Sequence, residues 1–503
     1  MWLGIDLGSS NTTAAIWDGR LRMIELNASG ATSMPSVVTI VGDKVFVGAE
    51  AVEAGGKHPE FDHRNFKRTI AERWHPDEDT GPQTCESVDP ETGKPTGMLA
   101  YRGPNGFQYS PTELTSYLVG EIVKAADKFL APHDSVTGAV IGVPATFTPD
   151  QIAAVREAAQ LAGVENVHTI EEPVAAAIAY NIDAKRPGAT FVVDFGGGTL
   201  DTTITRSRDG LISILGKNGI GDLGGADWDE RIANYVIELW RAEFHEELKT
   251  GRVVDNGQLD KAMPLIRAEA KAVKERLTDR EETTFKLDMV SRTIDNVTLP
   301  MIYTVTRKIM NDITRDLIDR MISACKATID DAIRQDAKFS ATGDIKSVLL
   351  VGGMTRVHAV REAIAEFFGK QPRKDESPEQ VVAQGCAIKA AILEGRRPDI
   401  SVSDVTSFDL AIEGKNNVPA VIVRRGTPFP LKQPVSVRVA NADDAQTEIS
   451  LRLLWATRPR AQDCHVLGAV DFAIEPSPAE TQFAVMKVTI DDEGMPSIVS
   501  VAA

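Results

Sequence analysis

Two short segments of the chain combine carboxylates with glycines in a spacing that suits a metal-bound polyphosphate. The first reads Asp-Leu-Gly-Ser-Ser-Asn at residues 6–11, and the second reads Asp-Phe-Gly-Gly-Gly-Thr-Leu-Asp at residues 194–201. Glycine lets the backbone approach a phosphate closely, and successive backbone N–H groups form a nest for an anion. Because carboxylates repel phosphates, Asp6, Asp194 and Asp201 suit such a site only if a hydrated Mg²⁺ lies between the two kinds of group.

Both segments belong to the same local pattern. Each follows an apolar strand and leads into a returning strand rich in β-branched residues, and an Asp-Gly turn follows at residues 18–19 and 209–210. One such hairpin is usually only a turn, but two copies indicate a duplicated unit. Because the copies are too far apart for a solenoid repeat, we predict two related halves.

Helix and strand patterns alternate through most of the chain. Apolar residues recur at helical spacing in segments 113–129, 149–162, 174–180, 227–247, 259–277, 303–334 and 357–368. Buried-strand patterns lie between them, as at residues 140–143 and 348–351, and the second of these ends in two glycines. Alternation on this scale predicts an α/β architecture.

The pattern changes near residue 396. Beyond residue 400 no helical period persists, and short alternating segments such as 448–453 are separated by prolines, which predicts a small antiparallel β domain. We therefore predict a nucleotide-binding domain, a linker and a β domain, at residues 1–395, 396–404 and 405–503.

Composition and charge restrict the function classes. The chain has 503 residues and a formal net charge of −17, whereas general nucleic-acid binding needs a basic face. Its four cysteines are too scattered for a disulfide framework or a metal site, which indicates a reducing compartment. No apolar run approaches the ~20 residues that span a bilayer, and the N-terminus lacks a signal-peptide pattern. We expect a cytoplasmic monomer with no nucleic-acid or membrane partner.

Taken together, the motifs resemble the 70-kilodalton heat-shock chaperones of the DnaK type. The resemblance rests on segments 6–11, 172–173, 194–201, 222–225, 351–356, 366–370 and 372–375, and less closely on 404–406 and 424–428. It covers residues 1 to about 395 almost continuously. It implies an actin-type ATPase domain, a duplicated ribonuclease H-like fold with two lobes around an Mg-ATP cleft, followed by a small all-β sandwich that binds peptides.

The resemblance also implies roles for individual residues. Lys67 would reach the terminal phosphate and the attacking water, Glu172 would lie near that water, and Thr199 would orient it. Asp6, Asp194 and Asp201 would hold the hydration shell of Mg²⁺, with Asp194 also counted as catalytic. ATP or ADP would be bound by Gly8, Ser9, Ser10, Asn11, Gly196, Gly197, Gly198, Thr199, Gly224, Gly225, Lys274, Thr278, Gly352, Gly353 and Arg356. From composition alone, Lys67 would be an ordinary solvated lysine.

The chain departs from the family pattern where domains and co-chaperones communicate. Pro144 matches the switch proline, but Thr146 stands where a tyrosine is usual and Ile152 where a relay arginine is expected. His168 and Glu171 replace the usual arginine and asparagine beside the groove for J-domain co-chaperones. The hydrolysis residues are therefore intact, whereas residues for communication are altered.

Other departures affect the adenosine site, the linker and the β domain. Lys271 and Glu275 occupy adenosine-edge positions that usually hold glutamate and arginine. The linker at 400–403 is more polar than the leucine-rich strand of the family. We also expect the β domain to lack the family's final strands and helical lid, and extended peptides to leave it quickly.

The leading hypothesis is an ATP-hydrolysing chaperone of reduced architecture that acts on unfolded peptides, with a J-domain co-chaperone and a nucleotide exchange factor as partners. The second is a nucleotide-gated binding module for one dedicated client protein. A sugar or acetate kinase with the same fold is a weaker hypothesis, because those enzymes do not append such a β domain. A filament-forming relative is weaker still.

Overall fold

The computed structural model describes the chain at residues 1–27, 29–75, 84–180, 188–208, 211–253, 258–336, 339–373, 379–406, 408–456, 459–491 and 494–502. The turn predicted at residues 209–210 and the end of the 372–375 motif lie outside these ranges. Among the described residues, no helix is both long enough and apolar enough to cross a membrane.

The first half of the molecule (residues 2–180) contains a mixed sheet with helices against it. Its strands are β1 Trp2–Leu7, β2 Asn11–Trp17, β3 Leu21–Met23, β4 Ser33–Pro35, β5 Val37–Val41, β6 Lys44–Val47, β7 Asp62–Arg64, β8 Thr84–Val88, β9 Pro95–Arg102, β10 Gln108–Tyr109, β11 Gly138–Val143 and β12 Asn166–Glu171. Its helices are α1 Ala49–Gly55, α2 Pro111–Leu130, α3 Pro149–Leu161 and α4 Glu172–Tyr180. Capping boxes start α2 at Ser110 and α3 at Thr148.

The second half (residues 188–393) repeats this arrangement with longer helices. Its strands are β13 Gly188–Phe195, β14 Leu200–Arg208, β15 Leu211–Ile220, β16 Glu282–Arg292, β17 Thr298–Thr306 and β18 Ile345–Val351. Its helices are α5 Gly225–Glu243, α6 His245–Lys249, α7 Gln258–Asp279, α8 Arg307–Ile313, α9 Arg315–Gln335, α10 Ala341–Asp344, α11 His358–Phe368 and α12 Val381–Leu393.

The remaining elements form an all-β part, here called the β region (residues 401–502). Its strands are β19 Ser401–Val405, β20 Asp409–Glu413, β21 Pro419–Val423, β22 Pro428–Phe429, β23 Val435–Ala440, β24 Glu448–Ala456, β25 His465–Ala473, β26 Phe483–Ile490 and β27 Pro496–Ala502. Two sheets, in the orders β21-β20-β24-β25 and β23-β26-β27, share one apolar core. This packing is that of a β-sandwich.

Strand pairing shows the same connectivity in the two halves. In the first, β1 pairs antiparallel with β2 and parallel with β11; in the second, β13 pairs antiparallel with β14 and parallel with β18. Asp6 lies opposite Thr13, and Asp194 lies opposite Asp201. The two acidic turns therefore occupy equivalent positions at the ends of β1 and β13.

Helices α4 and α12 pack against each other beneath the first sheet, and glycines allow their close approach. A Cβ added at Gly385 would lie 1.8 Å from the carbonyl oxygen of Ala175 in α4. A Cβ added at Gly4 in β1 would lie 2.1 Å from the backbone nitrogen of Ala387. Because Glu172 is the first residue of α4, this packing also fixes the position of Glu172.

One predicted helix is wrong at its start. The segment 303–334 reads as a continuous helix in the sequence, but residues 298–306 form β17, and helices α8 and α9 follow with a break at Thr314. The first residues of the segment include Val305 and Thr306, whose β-branched side chains favour a strand. Pairing of β17 with β16 therefore takes precedence over the helical period.

The predicted linker contains a strand that joins the second half to the β region. Strand β19 pairs parallel with β15, at Leu211 with Ser401 through Ser213 with Ser403, and antiparallel with β22. Ile400 and Val405 are buried in the apolar cluster that also holds α4 and α12. The serines therefore do not prevent docking, because backbone pairing and the two flanking apolar side chains supply the contacts.

Candidate functional site

A cleft of about 540 Å³ lies between the two halves, at the ends of β1 and β13. Most residues predicted to bind nucleotide or metal line this cleft: Asp6, Gly8, Ser9, Ser10, Asn11, Lys67, Glu172, Asp194, Gly196, Gly197, Gly198, Thr199, Gly225, Lys274, Thr278, Gly352, Gly353 and Arg356. Asp201 and Gly224 lie behind this lining, against the residues that form it.

The turn after β13 is held in shape by the start of α5. The Gly196 N–H donates to the Thr199 carbonyl at 3.0 Å, and the Gly225 N–H donates to the Gly196 carbonyl at 3.1 Å. A Cβ added at Gly224 would lie 2.4 Å from the Gly198 nitrogen, so this position accepts only glycine. Gly224 therefore supports the turn from behind and is not itself part of the wall.

The turn after β1 is held by a residue that has no recognisable motif. The Ser36 hydroxyl donates to the Gly8 carbonyl at 2.6 Å, and the Ser36 N–H donates to the Ser10 carbonyl at 2.9 Å. Ser36 is buried and also shares a hydrogen bond with Thr12. These bonds occupy the carbonyls of Gly8 and Ser10, so that the backbone N–H groups of the turn are the groups that suit an anion.

Lys67 and Glu172 form a buried ion pair across the first half. The Lys67 ammonium donates to Glu172 Oε1 at 2.5 Å, and the two side chains are 6% and 11% exposed. The Phe147 ring centroid lies 5.7 Å from the same ammonium. Lys67 is therefore not a solvated surface lysine but a fixed positive charge at the cleft wall.

Carboxylates outnumber ammonium groups at this point. Burial, then the charge of Glu172, raises the pKa of Asp6 to about 7, although Lys67 opposes the shift. Burial, then Glu172, raises the pKa of Asp194 and of Asp201 well above the usual range. Asp201 Oδ1 accepts the Ala145 N–H at 3.1 Å, whereas its Oδ2 is buried with no hydrogen-bond partner among the described residues. The site thus has surplus negative charge for a cation to neutralise.

The same residues can be tested for their fit to a metal ion. Within the described ranges, no three His, Cys, Asp or Glu side chains are grouped closely enough to hold a metal directly. Mg²⁺ usually keeps several waters and needs only one or two carboxylates together with substrate phosphates. The buried Asp194 and Asp201, the half-buried Asp6 and the orphan oxygen of Asp201 therefore fit a hydrated Mg²⁺ and not a dehydrated one.

The opposite end of the cleft is built from α7 and the turn after β18. Lys274 is buried, and it donates to Asp229 at 2.7 Å and to the Gly225 carbonyl at 2.9 Å. Burial lowers its pKa, although Asp229 opposes the shift. Arg356 forms an ion pair with Glu379 at 2.8 Å. Lys274 thus fixes α7 against α5 as well as lining the cleft.

Comparison with known families settles the relationship. A family model described as Hsp70 protein matches residues 2–503. The chain belongs to the Hsp70 family. This confirms the resemblance inferred from the motifs, and with it an actin-like ATPase fold. Hsp70 proteins are ATP-dependent chaperones that hydrolyse ATP, bind ATP and ADP with Mg²⁺, and act with clients and co-chaperones.

Several cleft residues of this Hsp70 protein escaped sequence reasoning. Thr13, Ser33, Asp279, Met354, Val357, Glu379 and Val382 line the cleft beside the predicted residues. Lys271 and Glu275, which depart from the family pattern, line it too. Lys271 and Thr278 lie three residues before and four residues after Lys274, so helical spacing supports their place on the same face of α7, whereas Ser33 and Glu379 are brought in by distant parts of the chain.

Proposed function

We propose that this Hsp70-family chain hydrolyses Mg-ATP in the cleft and uses the reaction to control client binding by the β region. In the reaction, one water attacks the terminal phosphorus, the bond to the bridging oxygen breaks, and ADP, phosphate and a proton leave. One observation carries this proposal: acidic turns from both halves meet the buried Lys67–Glu172 pair in one cleft.

The chain's own groups suit phosphoryl transfer to water. The Lys67 ammonium supplies fixed positive charge for the terminal phosphate, and Glu172 holds that ammonium and accepts a hydrogen bond from the attacking water. The Thr199 hydroxyl, on the second turn, orients the water. Mg²⁺, held through water by Asp6, Asp194 and Asp201, would neutralise phosphate charge. Catalysis of this kind depends mostly on positioning and charge stabilisation.

The far end of the cleft suits the nucleoside. Gly352 and Gly353 leave room beside the turn after β18, and the Arg356 guanidinium has a planar face that suits stacking on a base. The ion pair with Glu379 holds Arg356 at the cleft edge. We assign adenosine to this end, with α7 along one side.

The domain boundaries stay part of the proposal. An ATPase domain over 1–395 and a client-binding β region are supported by the separate apolar cores of the halves and of the β-sandwich. The structure has β19 paired with the second half, so the β region is held against the ATPase domain in this conformation.

A second candidate function is a gated module for one dedicated partner. His168 stacks on Trp2, with ring centroids 5.2 Å apart, and Glu171 forms an ion pair with Lys217 at 2.9 Å. Both residues stand beside the groove assigned to J-domain co-chaperones, and both are committed to contacts within the chain. Affinity capture that returns one stoichiometric protein favours this candidate; capture of many unfolded peptides favours the general chaperone.

Single-turnover cleavage of ATP tests the main proposal. Asp194→Asn and Lys67→Ala should each lower the cleavage rate by about 100-fold or more, since each removes charge at the reacting phosphate. Arg231→Gln is a matched control, because Arg231 lies in an exposed ion pair with Asp316 away from the cleft. Cleavage by both cleft variants at the wild-type rate would show that the site assignment is wrong.

A further inference from the structure

A second cavity, of about 500 Å³, lies directly behind the phosphate end of the cleft. The two cavities share Ser9, Lys67, Pro144 and Thr199 in their linings. These four residues therefore form the wall between them. Two of the four, Lys67 and Thr199, are the residues assigned above to the terminal phosphate and the attacking water.

The second cavity presents cations and donors next to this wall. The Arg68 guanidinium donates to the Gly198 carbonyl and lies 3.8 Å from Asp227. Its Nε is buried and has no hydrogen-bond partner in the part of the chain that the structure describes. Lys67 and the hydroxyls of Ser9, Thr146 and Thr199 add further donors. The region beside the wall therefore suits a small oxyanion.

Carboxylates also line this cavity, at Glu72 and Asp222. Asp222 is paired with Arg320 at 2.7 Å and is largely exposed, so its charge is offset where the cavity opens. Lys67 and Arg68 lie beside the wall, where Glu172 and Asp227 already pair with them, and Glu72 adds a further carboxylate to the lining. A phosphate that enters from the cleft would therefore be received by hydrogen bonds from these two cations and the neighbouring hydroxyls, and not by a net positive field.

We propose that this second cavity is the route by which inorganic phosphate leaves after hydrolysis, with Arg68 as its first binding group. The inference rests on the proposed function. While ADP fills the cleft, phosphate formed at Lys67 and Thr199 cannot return along the path that ATP took. The wall of four side chains is the other boundary of this end of the cleft, and movement of the Ser9 or Thr199 side chain would open it without displacing ADP.

Thr146 offers a way to close the route. It lines the second cavity, and its side chain packs on the glycine backbone at 219–221, where a Cβ at Gly219 would lie 2.6 Å from Thr146 Cγ2. A tyrosine at this position, which is usual in the family, would occupy much of the cavity. Thr146→Tyr should therefore obstruct the route, whereas Thr146→Val keeps its shape and serves as the matched control.

The experiment follows three events in one turnover of the full chain: ATP cleavage by acid quench, free phosphate by a fluorescent phosphate sensor, and ADP departure by a fluorescent ADP analogue. In the wild type, phosphate should appear before ADP leaves. Thr146→Tyr should leave cleavage within about twofold and delay free phosphate by about tenfold or more. Arg68→Gln should also delay the appearance of free phosphate. Thr146→Val and the surface variant Arg231→Gln should match the wild type in all three measurements.

The outcomes separate the two proposals. If the wild type does not cleave ATP, the proposed function fails and this inference falls with it. If cleavage is normal but phosphate never precedes ADP, phosphate leaves through the main cleft and only this inference is overturned. The same holds if Thr146→Tyr and Arg68→Gln both release phosphate at the wild-type rate. If the Thr146→Tyr variant does not fold, the proposal is tested by the rate of phosphate release in Arg68→Gln and by the order in which phosphate and ADP leave the wild type.

Discussion

Lys67 and Glu172 neutralise each other in a buried setting, so a change to either residue affects stability as well as chemistry. Removal of the ammonium leaves the Glu172 carboxylate without its partner, beside Asp6 and Asp194, whose pKa values are already raised. A loss of activity in one single variant is therefore not proof of a catalytic role.

A double-mutant cycle separates the two effects. Lys67→Met should destabilise the protein by about 3–5 kcal/mol, because it breaks a buried ion pair. Lys67→Met combined with Glu172→Gln should recover most of this loss, since no unpaired charge remains at the pair. The double variant should still cleave ATP about 100-fold more slowly or worse. Urea unfolding and single-turnover cleavage measure the two quantities; recovery of both together would mean that the pair is structural only.

Mg²⁺ should stabilise the protein more at high pH than at low pH. The folded-state pKa of Asp6 is raised from 3.8 to about 7, so the folded protein holds this proton more tightly than the unfolded chain does. Ionisation of Asp6 therefore costs stability progressively as the pH rises through this window. Because Mg²⁺ binds the ionised form, the rise in Tm on adding MgCl₂ should grow between pH 5 and pH 8.

Thermal scans at several pH values, with and without MgCl₂, check this expectation. Asp6→Asn should weaken the growth of the Mg²⁺ effect with pH, leaving the part due to Asp194 and Asp201, whereas Asp89→Asn, at a surface turn, should leave that growth unchanged. An equal rise in Tm at pH 5 and pH 8 in the wild type would contradict the assignment of Asp6 to the metal's hydration shell.

Motif residues and their supports differ in how far the sequence could predict them. Asp6, Asp194 and the glycines belong to turns whose own conformation demands those residue types, so local reasoning finds them. Ser36 acts through bonds to Gly8 and Ser10 that form only when β4 and β5 pack beside the turn. Nothing in the spacing of Ser36 distinguishes it from an ordinary serine.

Among the elements, the crossing of α4 and α12 should tolerate no side chain at Gly385. An added Cβ would lie 1.8 Å from the Ala175 carbonyl oxygen, and backbone cannot yield as a flexible side chain can. Gly385→Ala should therefore destabilise the protein by about 3 kcal/mol or more. Because α4 begins at Glu172, the variant should also weaken ATP cleavage.

Gly120 provides the matched control for this change. It too lies inside a helix, α2, but an added Cβ would meet only Ala162 Cβ, at 4.0 Å. Gly120→Ala should stabilise the protein by about 0.5–1 kcal/mol through helix propensity. Denaturant unfolding of the two variants tests the pair; equal effects would show that the close approach does not limit position 385.

Element types were predictable from the sequence where one pattern dominated. Helix α2 has a proline at its first turn, a capping box and an apolar stripe, and each signal favours the same structure. Segment 303–306 satisfied both the helical period and β-branched preference, and only the partner strand β16 decided between them. Local sequence does not contain that partner.

At the level of the whole molecule, Lys217 links three separate parts of the chain. Its ammonium lies 2.9 Å from Glu171 at the end of β12 and 2.8 Å from Asp404 in β19, and Lys217 itself belongs to β15. Burial alone would lower its pKa, but Asp404 and Glu171 hold the pKa above the ordinary value. The docked linker is therefore held by the Lys217–Asp404 ion pair as well as by strand pairing.

Loss of one partner should loosen the linker. Asp404→Ala should speed hydrogen exchange in 401–405 by about tenfold or more, because a buried hydrogen-bonded ion pair is lost. Asp399→Ala removes an exposed carboxylate that pairs with the half-buried Arg397 in the same segment and should change exchange little. Mass-spectrometric exchange on the full chain measures both; equal protection in the two variants would rule out a role for Lys217 in docking.

The sequence showed a linker more polar than the family's leucine-rich strand, which describes only its average polarity. The structure shows that position matters more, since Ile400 and Val405 bury their side chains while Ser401 and Ser403 contribute backbone. The pairing partner of the linker strand is the sheet edge formed by β15. Such an edge exists only after the second half has folded.

The shared sheet bears on how the protein should be divided for study. A fragment that stops at the last residue of α12 would strip β15 of its neighbour and leave Ile212 and Ile214 beside a bare row of N–H and C=O groups. An exposed strand edge of this kind promotes intermolecular strand addition and aggregation. Cutting after Val405 would keep β15 paired with β19 and leave as the open edge only the short β19, which in the full chain pairs with β22 at Asp404 and Val405.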